Sequence, residues 1–155
     1  YRHYCEMILS IDESVGRVLK SLQKRGVEQN TLVLFTSDGG HFWGEHGLID
    51  NRCAYEESIR IPLLAYGPSL IKAGTKCDAV VAITDVAPTL LDLAGLTVPE
   101  SIDGQSFSGL LKHPTATESW RKNLLYEYSC SMNTTGNRNS RRHPPCSACE
   151  AAVSN

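Results

Sequence analysis

Residues 31 to 36, Thr-Leu-Val-Leu-Phe-Thr, form a nearly continuous apolar run that ends in Ser37-Asp38-Gly39-Gly40, with His41 and His46 close behind. A run that is apolar at successive positions suits a strand buried on both faces. Just upstream, within residues 3 to 25, Tyr4, Met7, Ile8, Ile11, Val15, Val18, Leu19 and Leu22 recur at three- and four-residue spacings. Glu6, Glu13, Arg17, Lys20 and Lys24 take the other face, which is the pattern of an amphipathic helix. Gly26 supplies the stop, since a helix commonly ends on a left-handed glycine. Helix, short turn and buried strand make one unit of a doubly wound α/β sheet. In such sheets ligands bind in the crevice outside the carboxyl ends of the strands. A carboxylate at that place, followed by glycines that let backbone approach closely, is expected of a metal or anion site. Taken alone, Ser-Asp-Gly-Gly also fits an ordinary turn.

The rest of the chain continues the alternation. Residues 55 to 58 read as a short helical or turn segment, and residues 61 to 66, Ile-Pro-Leu-Leu-Ala-Tyr, as a second strand with Pro62 at its start or on a sheet edge,. Gly67-Pro68 breaks it, residues 69 to 77 form a polar loop, and Ala79 to Ile83 is a third apolar run,. Thr84 or Asp85 caps the next helix, with Pro88 in its first turn,. Val86, Leu90, Leu91 and Leu93 supply its apolar face, and Gly95 ends it. A helical turn is expected over residues 108 to 112.

A chain of 155 residues is about one domain, and 41% hydrophobic with 21% charged residues describes a soluble globular class,. The formal net charge of −2 points away from nucleic acid and acidic membrane surfaces,. No apolar stretch approaches the roughly 18 residues of a membrane span. The N-terminus, Tyr1-Arg2-His3-Tyr4, shows no signal peptide and leads straight into a helix, as if the chain began inside something larger,.

Among the six cysteines, buried thiols are the plain expectation for Cys5, Cys53 and Cys77,. Cys146-Ser147-Ala148-Cys149 has CxxC spacing without a second pair or a strand-helix context, so a zinc or redox role is not favoured,. From residue 129 the sequence is rich in Ser, Asn, Thr and Arg and includes the sequon Asn133-Thr134-Thr135. Such a segment buries too little to offset the entropy of ordering. Residues 129–155 therefore read as a disordered or non-homologous tail, or as a break in the reading frame after Tyr128.

Five blocks carry a family resemblance: Asn30 to Asp38, Gly44-Glu45-His46-Gly47-Leu48, Tyr55 to Leu64, Thr84 to Gly95, and Asp103-Gly104-Gln105-Ser106-Phe107. In this order and spacing, residues 4 to 128 resemble the C-terminal half of the catalytic domain of sulfatases, in the alkaline-phosphatase-like superfamily. The resemblance implies a partial domain, residues 1–128, of an α/β three-layer sandwich with a mostly parallel central sheet. It implies hydrolysis of sulfate monoesters, on sulfated sugars or other small sulfated molecules. A formylglycine would form from a Cys/Ser-x-Pro/Ala-x-Arg motif, and a calcium ion would orient that nucleophile and stabilise charge on the sulfuryl oxygens. Calcium takes hard oxygen ligands, and by position Asp38 resembles the family's calcium-binding aspartate. The family draws two ligands from this strand end and two from an acidic pair early in the domain. Many relatives are exported, periplasmic or lysosomal.

Three departures bear on activity. The residue after Asp38, ordinarily Asn or His, is Gly39, with His41 as the substitute metal ligand. The lysine that ordinarily precedes the Tyr block by four positions is Asn51, which can donate a hydrogen bond but carries no charge, with Arg52 beside it as the candidate to supply the cation. No nucleophile motif and no upstream acidic pair occur in these residues. His46 stands by position near the anion site, with structural packing under the loop as its other reading. Glu45 and Glu56 read as solvated carboxylates, with acceptance of hydrogen bonds from that loop as their other reading; Arg60 reads as an ion-pair partner, Asp85 as a helix cap, and Trp43 as core or a substrate entrance.

The leading expectation is a sulfatase fragment that contributes half of a calcium and sulfate site and is inactive alone. Two alternatives are a degenerate sulfatase-like domain that binds a sulfated glycan or a protein, and a metal-dependent phosphodiesterase or phosphonate hydrolase of the same fold. Those last enzymes tend to carry His after the strand-end Asp, and Gly39 argues against them. Half of such a sheet exposes a strand edge and apolar surface, so the isolated chain is expected to self-associate.

Overall fold

The computed structural model describes residues 2–128 and, as backbone, residues 149–154. Two compact units emerge, one of Tyr1–Phe35 with Leu64–Thr75 and one of Thr36–Leu63 with Lys76–Asn155.

In the first unit, helix α1 spans Arg2–Lys24. Gly26 at φ 68 ends it, with Val27 N–H donating to Leu22 O and Gly26 N–H to Gln23 O. That pair of bonds is the Schellman closure, so the glycine acts where the sequence put it. Strand β1, Val33–Thr36, pairs with strand β4, Leu63–Tyr66, which starts just after Pro62. Ser69 Oγ donates to Gln29 O at 2.6 Å, and the Tyr66 hydroxyl donates to Glu28, tying the loops after β4 and α1 together. A groove of about 390 Å³ runs along α1 and β1, lined by Ile11, Val15, Val18, Val33, Leu34 and Phe35. No residue of α1 is buried. Its apolar face stays largely exposed, at Met7, Ile8 and Ile11 among others.

In the second unit, β2 (Phe42–Trp43) and β3 (Ile49–Asp50) form an antiparallel pair, Phe42 facing Asp50 and Trp43 facing Ile49. Short helix α2 is Glu56–Ile59. Helix α3, Val86–Leu93, ends on Gly95 at φ 71 through Leu96 N–H to Leu91 O and Gly95 N–H to Asp92 O. Helix α4 is Ser108–Lys112. Strand β5, Asn123–Tyr128, pairs antiparallel with β6, Cys149–Ser154. Strand β6 lies within the stretch whose composition marks it as a tail. Residues 129–148, with the sequon, Cys130 and Cys146, lie outside the described residues.

The core of this unit is Phe42, Val80, Phe107, Leu110 and Trp120. The apolar run from Ala79 joins no strand ladder and leads into a 3-10 turn at Ile83–Asp85. Side chains satisfy its backbone instead: Trp120 Nε1–H donates to Val80 O at 2.7 Å, and Ala82 N–H donates to Asp85 at 2.8 Å. Asp85 corrects the capping expectation. It precedes α3 but makes no side-chain cap to it. Fully buried, its carboxylate accepts from Ala82 N–H, Gln105 N–H and both Nη groups of Arg121. Every buried side-chain polar atom among the described residues has a partner, as a native interior requires.

The described residues thus hold three two-stranded pairs, of which β2–β3 and β5–β6 are antiparallel. No helix among them is long and apolar enough to cross a membrane.

Candidate functional site

The chain leaves β1 at Thr36 and turns at once. Ser37 Oγ donates to Gly39 O at 2.8 Å and accepts from Gly39 N–H at 3.4 Å, a local turn that commits the serine to backbone. Gly40 N–H donates to Ser58 O at 2.8 Å. A Cβ built on Gly40 would lie 2.1 Å from Glu57 O, so only glycine lets the turn pack on the C-terminal end of α2,. Asp38, between these anchors, is exposed, and its carboxylate takes no hydrogen bond or ion pair among the described residues.

Gly39 carries the second feature. A Cβ built there would lie 2.8 Å from Asn51 Nδ2 and 3.8 Å from Asn51 Cγ. The carboxamide of Asn51 thus occupies the place where a side chain at residue 39 would begin. The backbone around Asn51 is held on both sides. Its N–H donates to Asp50 Oδ1 at 2.9 Å, and its carbonyl accepts from the buried Ser58 hydroxyl. Asp50 itself sits at φ 82, a left-handed conformation rare for a side-chain-bearing residue,. Arg52 Nε is 3.2 Å from Asp50 Oδ2, so the nearby cation is occupied by that carboxylate.

The two histidines behave differently. His41 is exposed and turns its ring edge-on to Trp43, 4.6 Å between centroids. Trp43 is 44% exposed, which removes it from the core; Trp120 is the buried tryptophan. His46 stacks on Tyr55 at 4.0 Å and 12°, while both meet the edge of buried Phe42. Its Nε2 lies 3.4 Å from Glu57 Oε2. Reaching this position needs three left-handed residues in the β2–β3 loop: Gly44 at φ 118, His46 at φ 55 and Gly47 at φ 70. Glu45 folds back so that its carboxylate takes the N–H of Trp43 at 2.5 Å. Its own backbone N–H and that of Trp43 hold it below the ordinary carboxylate range. Arg60 pairs with Glu56 at 3.6 Å, both exposed.

Of the expected site residues, the fold sets Asn51 against Gly39, next to Asp38. It commits Arg52 to Asp50, His41 to Trp43 and His46 to Tyr55 and Glu57. No group of three or more His, Cys, Asp or Glu among the described residues comes together to hold a metal ion. Sequence reasoning missed the role of Asp50, whose left-handed backbone aims Asn51; nothing in the sequence marks it beyond Asp's tolerance of that conformation.

Comparison with known proteins decides the family. The sequence model described as N-sulphoglucosamine sulphohydrolase, C-terminal, matches residues 44–143. The chain belongs to the sulfatase family. It is 44% identical over 128 residues to an N-acetylglucosamine-6-O-sulfatase of Bacteroides thetaiotaomicron, covering 82% of this chain and 23% of that protein. It is 38% identical over 130 residues to the N-acetylglucosamine-6-sulfatase of Bos taurus, covering 83% and 23%. A solved structure of a protein in complex with its substrate, D-glucosamine-2-N,6-O-disulfate, matches with TM-score 0.75 at 43% identity, over 79% of this chain and 25% of that one. The phosphonate monoester hydrolase of Agrobacterium radiobacter matches with TM-score 0.75 at 27% identity, over 84% and 26%. The chain therefore spans about a quarter of the length of the curated relatives it matches. These likenesses place it in an alkaline-phosphatase-like α/β fold as a partial domain.

Proposed function

We propose that this sulfatase chain supplies the strand-end half of a cation and sulfate-ester site, acting on sulfated sugars when the rest of the catalytic domain is present. The observation that carries this reading is Asp38, an uncommitted carboxylate at the mouth of β1, beside a glycine turn packed against α2. In the complete domain the β1–β4 pair belongs to the larger, mostly parallel sheet of a three-layer sandwich. The substrate class follows from relatives acting on N-acetylglucosamine 6-sulfate and from the glucosamine disulfate held by a solved neighbour.

The donor chemistry of this half-site fits a hard divalent cation such as calcium. Asp38 offers carboxylate oxygens and the cradle over Gly39 holds a carboxamide, both ligand types that calcium accepts. When bound, such an ion supplies electrostatic stabilisation of the transferring sulfuryl group. The chain's own residues present that carboxylate, fix the turn through Gly40 and Ser58, and hold His46 in a stack on Tyr55. The nucleophile is not among these residues.

Two assays test the proposal together. The chain alone, given a chromogenic aryl sulfate and calcium, should give no turnover above buffer. A hybrid in which residues 1–128 replace the matched segment of the Bacteroides relative should hydrolyse N-acetylglucosamine 6-sulfate. Turnover by the chain alone, or a folded hybrid without any, refutes it. A second reading, a phosphonate or phosphate ester hydrolase, has one observation behind it, the TM-score of 0.75 to the Agrobacterium enzyme. Hydrolysis of an aryl phosphonate rather than the sulfate by the hybrid would favour it.

A further inference from the structure

We propose that the outward face of the β2–β3 hairpin, Trp43 with Ile49 and His41, is a stacking platform for an uncharged pyranose ring. In a glycan substrate that ring belongs to a sugar flanking the sulfated one. The inference rests on the sulfated-sugar reading above and adds to it the residues that select the flanking sugar and its charge.

The strand register builds the platform. Trp43 pairs with Ile49 and Phe42 with Asp50, and neighbouring residues of a strand point to opposite faces. Phe42 is buried, and its ring meets those of His46 and Tyr55. Trp43 and Ile49 share the other face, 44% and 66% exposed. His41, two residues before Trp43, sets its ring at 63° to the indole with 4.6 Å between centroids. The end of the hairpin is braced by backbone. Gly44 N–H donates to Leu48 O at 3.0 Å, Gly47 N–H to Gly44 O at 3.0 Å and Leu48 N–H to Glu45 O at 2.9 Å. An indole held this way presents a large contact area with little rotamer entropy to lose.

Area and charge choose the occupant. The exposed parts of Trp43 and Ile49 come to on the order of 250 Å²,, well short of the roughly 800 Å² per partner in a stable protein interface. They suit one face of a sugar ring, whose axial C–H groups make it apolar enough to lie on an indole. The charge beside that face is negative. The Glu45 carboxylate takes the Trp43 N–H at 2.5 Å, and its own N–H and that of Trp43 hold it below the ordinary range, ionised at neutral pH. Arg52, the cation that follows β3, is engaged by Asp50 at 3.2 Å. An anionic ring, sulfated or uronic, therefore meets a repulsion here that an uncharged ring does not. Trp43 lies five residues past Asp38 in the same compact unit, at most about 18 Å of extended chain. One glycan of a few rings can engage both.

The test is saturation-transfer difference NMR on the 155-residue chain with two probes, methyl β-D-glucopyranoside and methyl β-D-glucuronide, which differ in one carboxylate. The glucoside should receive saturation most strongly at the axial protons of one ring face. Its signal should fall about fivefold in Trp43→Ala, as expected when an aromatic contact is lost, and should fall also in Ile49→Ser. The glucuronide should respond about threefold more weakly, and Glu45→Gln should bring the two probes level. In the hybrid enzyme the readout is a ratio of kcat/KM values, for N-acetylglucosamine 6-sulfate linked to glucose over the monosaccharide. Trp43→Ala should lower that ratio about fivefold.

A glucoside signal absent from the wild-type chain, spread evenly over the ring, or unchanged in Trp43→Ala overturns the inference and leaves the half-site reading to the hybrid's turnover. A hybrid ratio that does not move overturns it too. A glucuronide as responsive as the glucoside overturns the charge selection. Trp120 fluorescence reports whether each variant keeps its fold. Where Trp43→Ala does not, Ile49→Ser decides, and an unchanged signal there overturns the inference. Glucoside binding through Trp43, with a folded hybrid that hydrolyses no sulfate, removes the sulfatase reading and keeps the platform as a sugar-binding face.

Discussion

Arg121 grips Asp85 with both arms of its guanidinium, Nη2 to Oδ1 at 2.7 Å and Nη1 to Oδ2 at 2.8 Å, across 36 residues of chain. The carboxylate is fully buried and Arg121 is only 20% exposed at its side chain. The same carboxylate also takes two backbone N–H groups, so one residue closes the turn before α3, the segment at Gln105 and the approach to β5. Removing one partner of such a buried pair leaves a charge unanswered. Arg121→Met should destabilise the second unit by about 3–5 kcal/mol. Urea unfolding followed by Trp120 fluorescence reads the effect; a loss within a few tenths of a kcal/mol would show the pair to be dispensable.

Glycines packed on backbone should separate cleanly from a glycine that meets only a side chain. Gly40→Ala drives a Cβ to 2.1 Å from Glu57 O, and Gly104→Ala drives one to 2.0 Å from Thr84 O. Backbone cannot yield as a side chain does, so each should cost about 1–3 kcal/mol or more. Gly39→Ala meets only the far end of Asn51, which is exposed and swings aside, and should cost little. Thermal unfolding of the three variants checks the order, and equal losses would contradict it.

Acid titration gives a further check. The Tyr66 hydroxyl, and after it the Gln23 amide, hold Glu28 below the ordinary carboxylate range. The folded value lies below the unfolded one, so the contact stabilises above the ordinary carboxylate value. That contribution fades as pH falls through the lowered one. Carbon-detected titration should show Glu28 moving up toward the ordinary range in Tyr66→Phe. Asp92, lowered by Ser106 and then Ser108, should respond in the same direction to Ser106→Ala. No change in either variant would contradict these assignments.

The isolated chain should self-associate. Met7, Ile8, Leu9 and Ile11 on α1 are all between 44% and 71% exposed, and β1 has a single strand neighbour among the described residues. Exposed apolar helix surface and strand edges favour association. Size-exclusion chromatography should show elution that shifts with concentration at micromolar levels. A monodisperse monomer would contradict the prediction.

Local signals were legible in the sequence. Gly26 and Gly95 each close a helix through bonds that span only six residues, so the glycine and the periodicity before it suffice. Pro62 similarly marks the start of β4. Asp85 was legible only as a cap, because its partners Gln105 and Arg121 lie 20 and 36 residues away. The apolar run at Ala79–Ile83 looked like another strand; its carbonyl at Val80 and amide at Ala82 are answered by side chains from Trp120 and Asp85 rather than by a ladder. At the site, Asp38 could be placed from the strand that precedes it. The meeting of Asn51 with Gly39 could not, since it depends on the left-handed turn at Asp50.

The hybrid enzyme carrying residues 1–128 gives the most direct measurement: kcat/KM for N-acetylglucosamine 6-sulfate, with and without Asp38→Ala. If Asp38 is the strand-end half of the site, the unsubstituted hybrid turns over the sulfate ester, and the substitution lowers kcat/KM by at least about 10²-fold while the fold is retained, as expected when a group stabilising transition-state charge is lost. A folded hybrid whose turnover is the same with alanine at position 38 would contradict it.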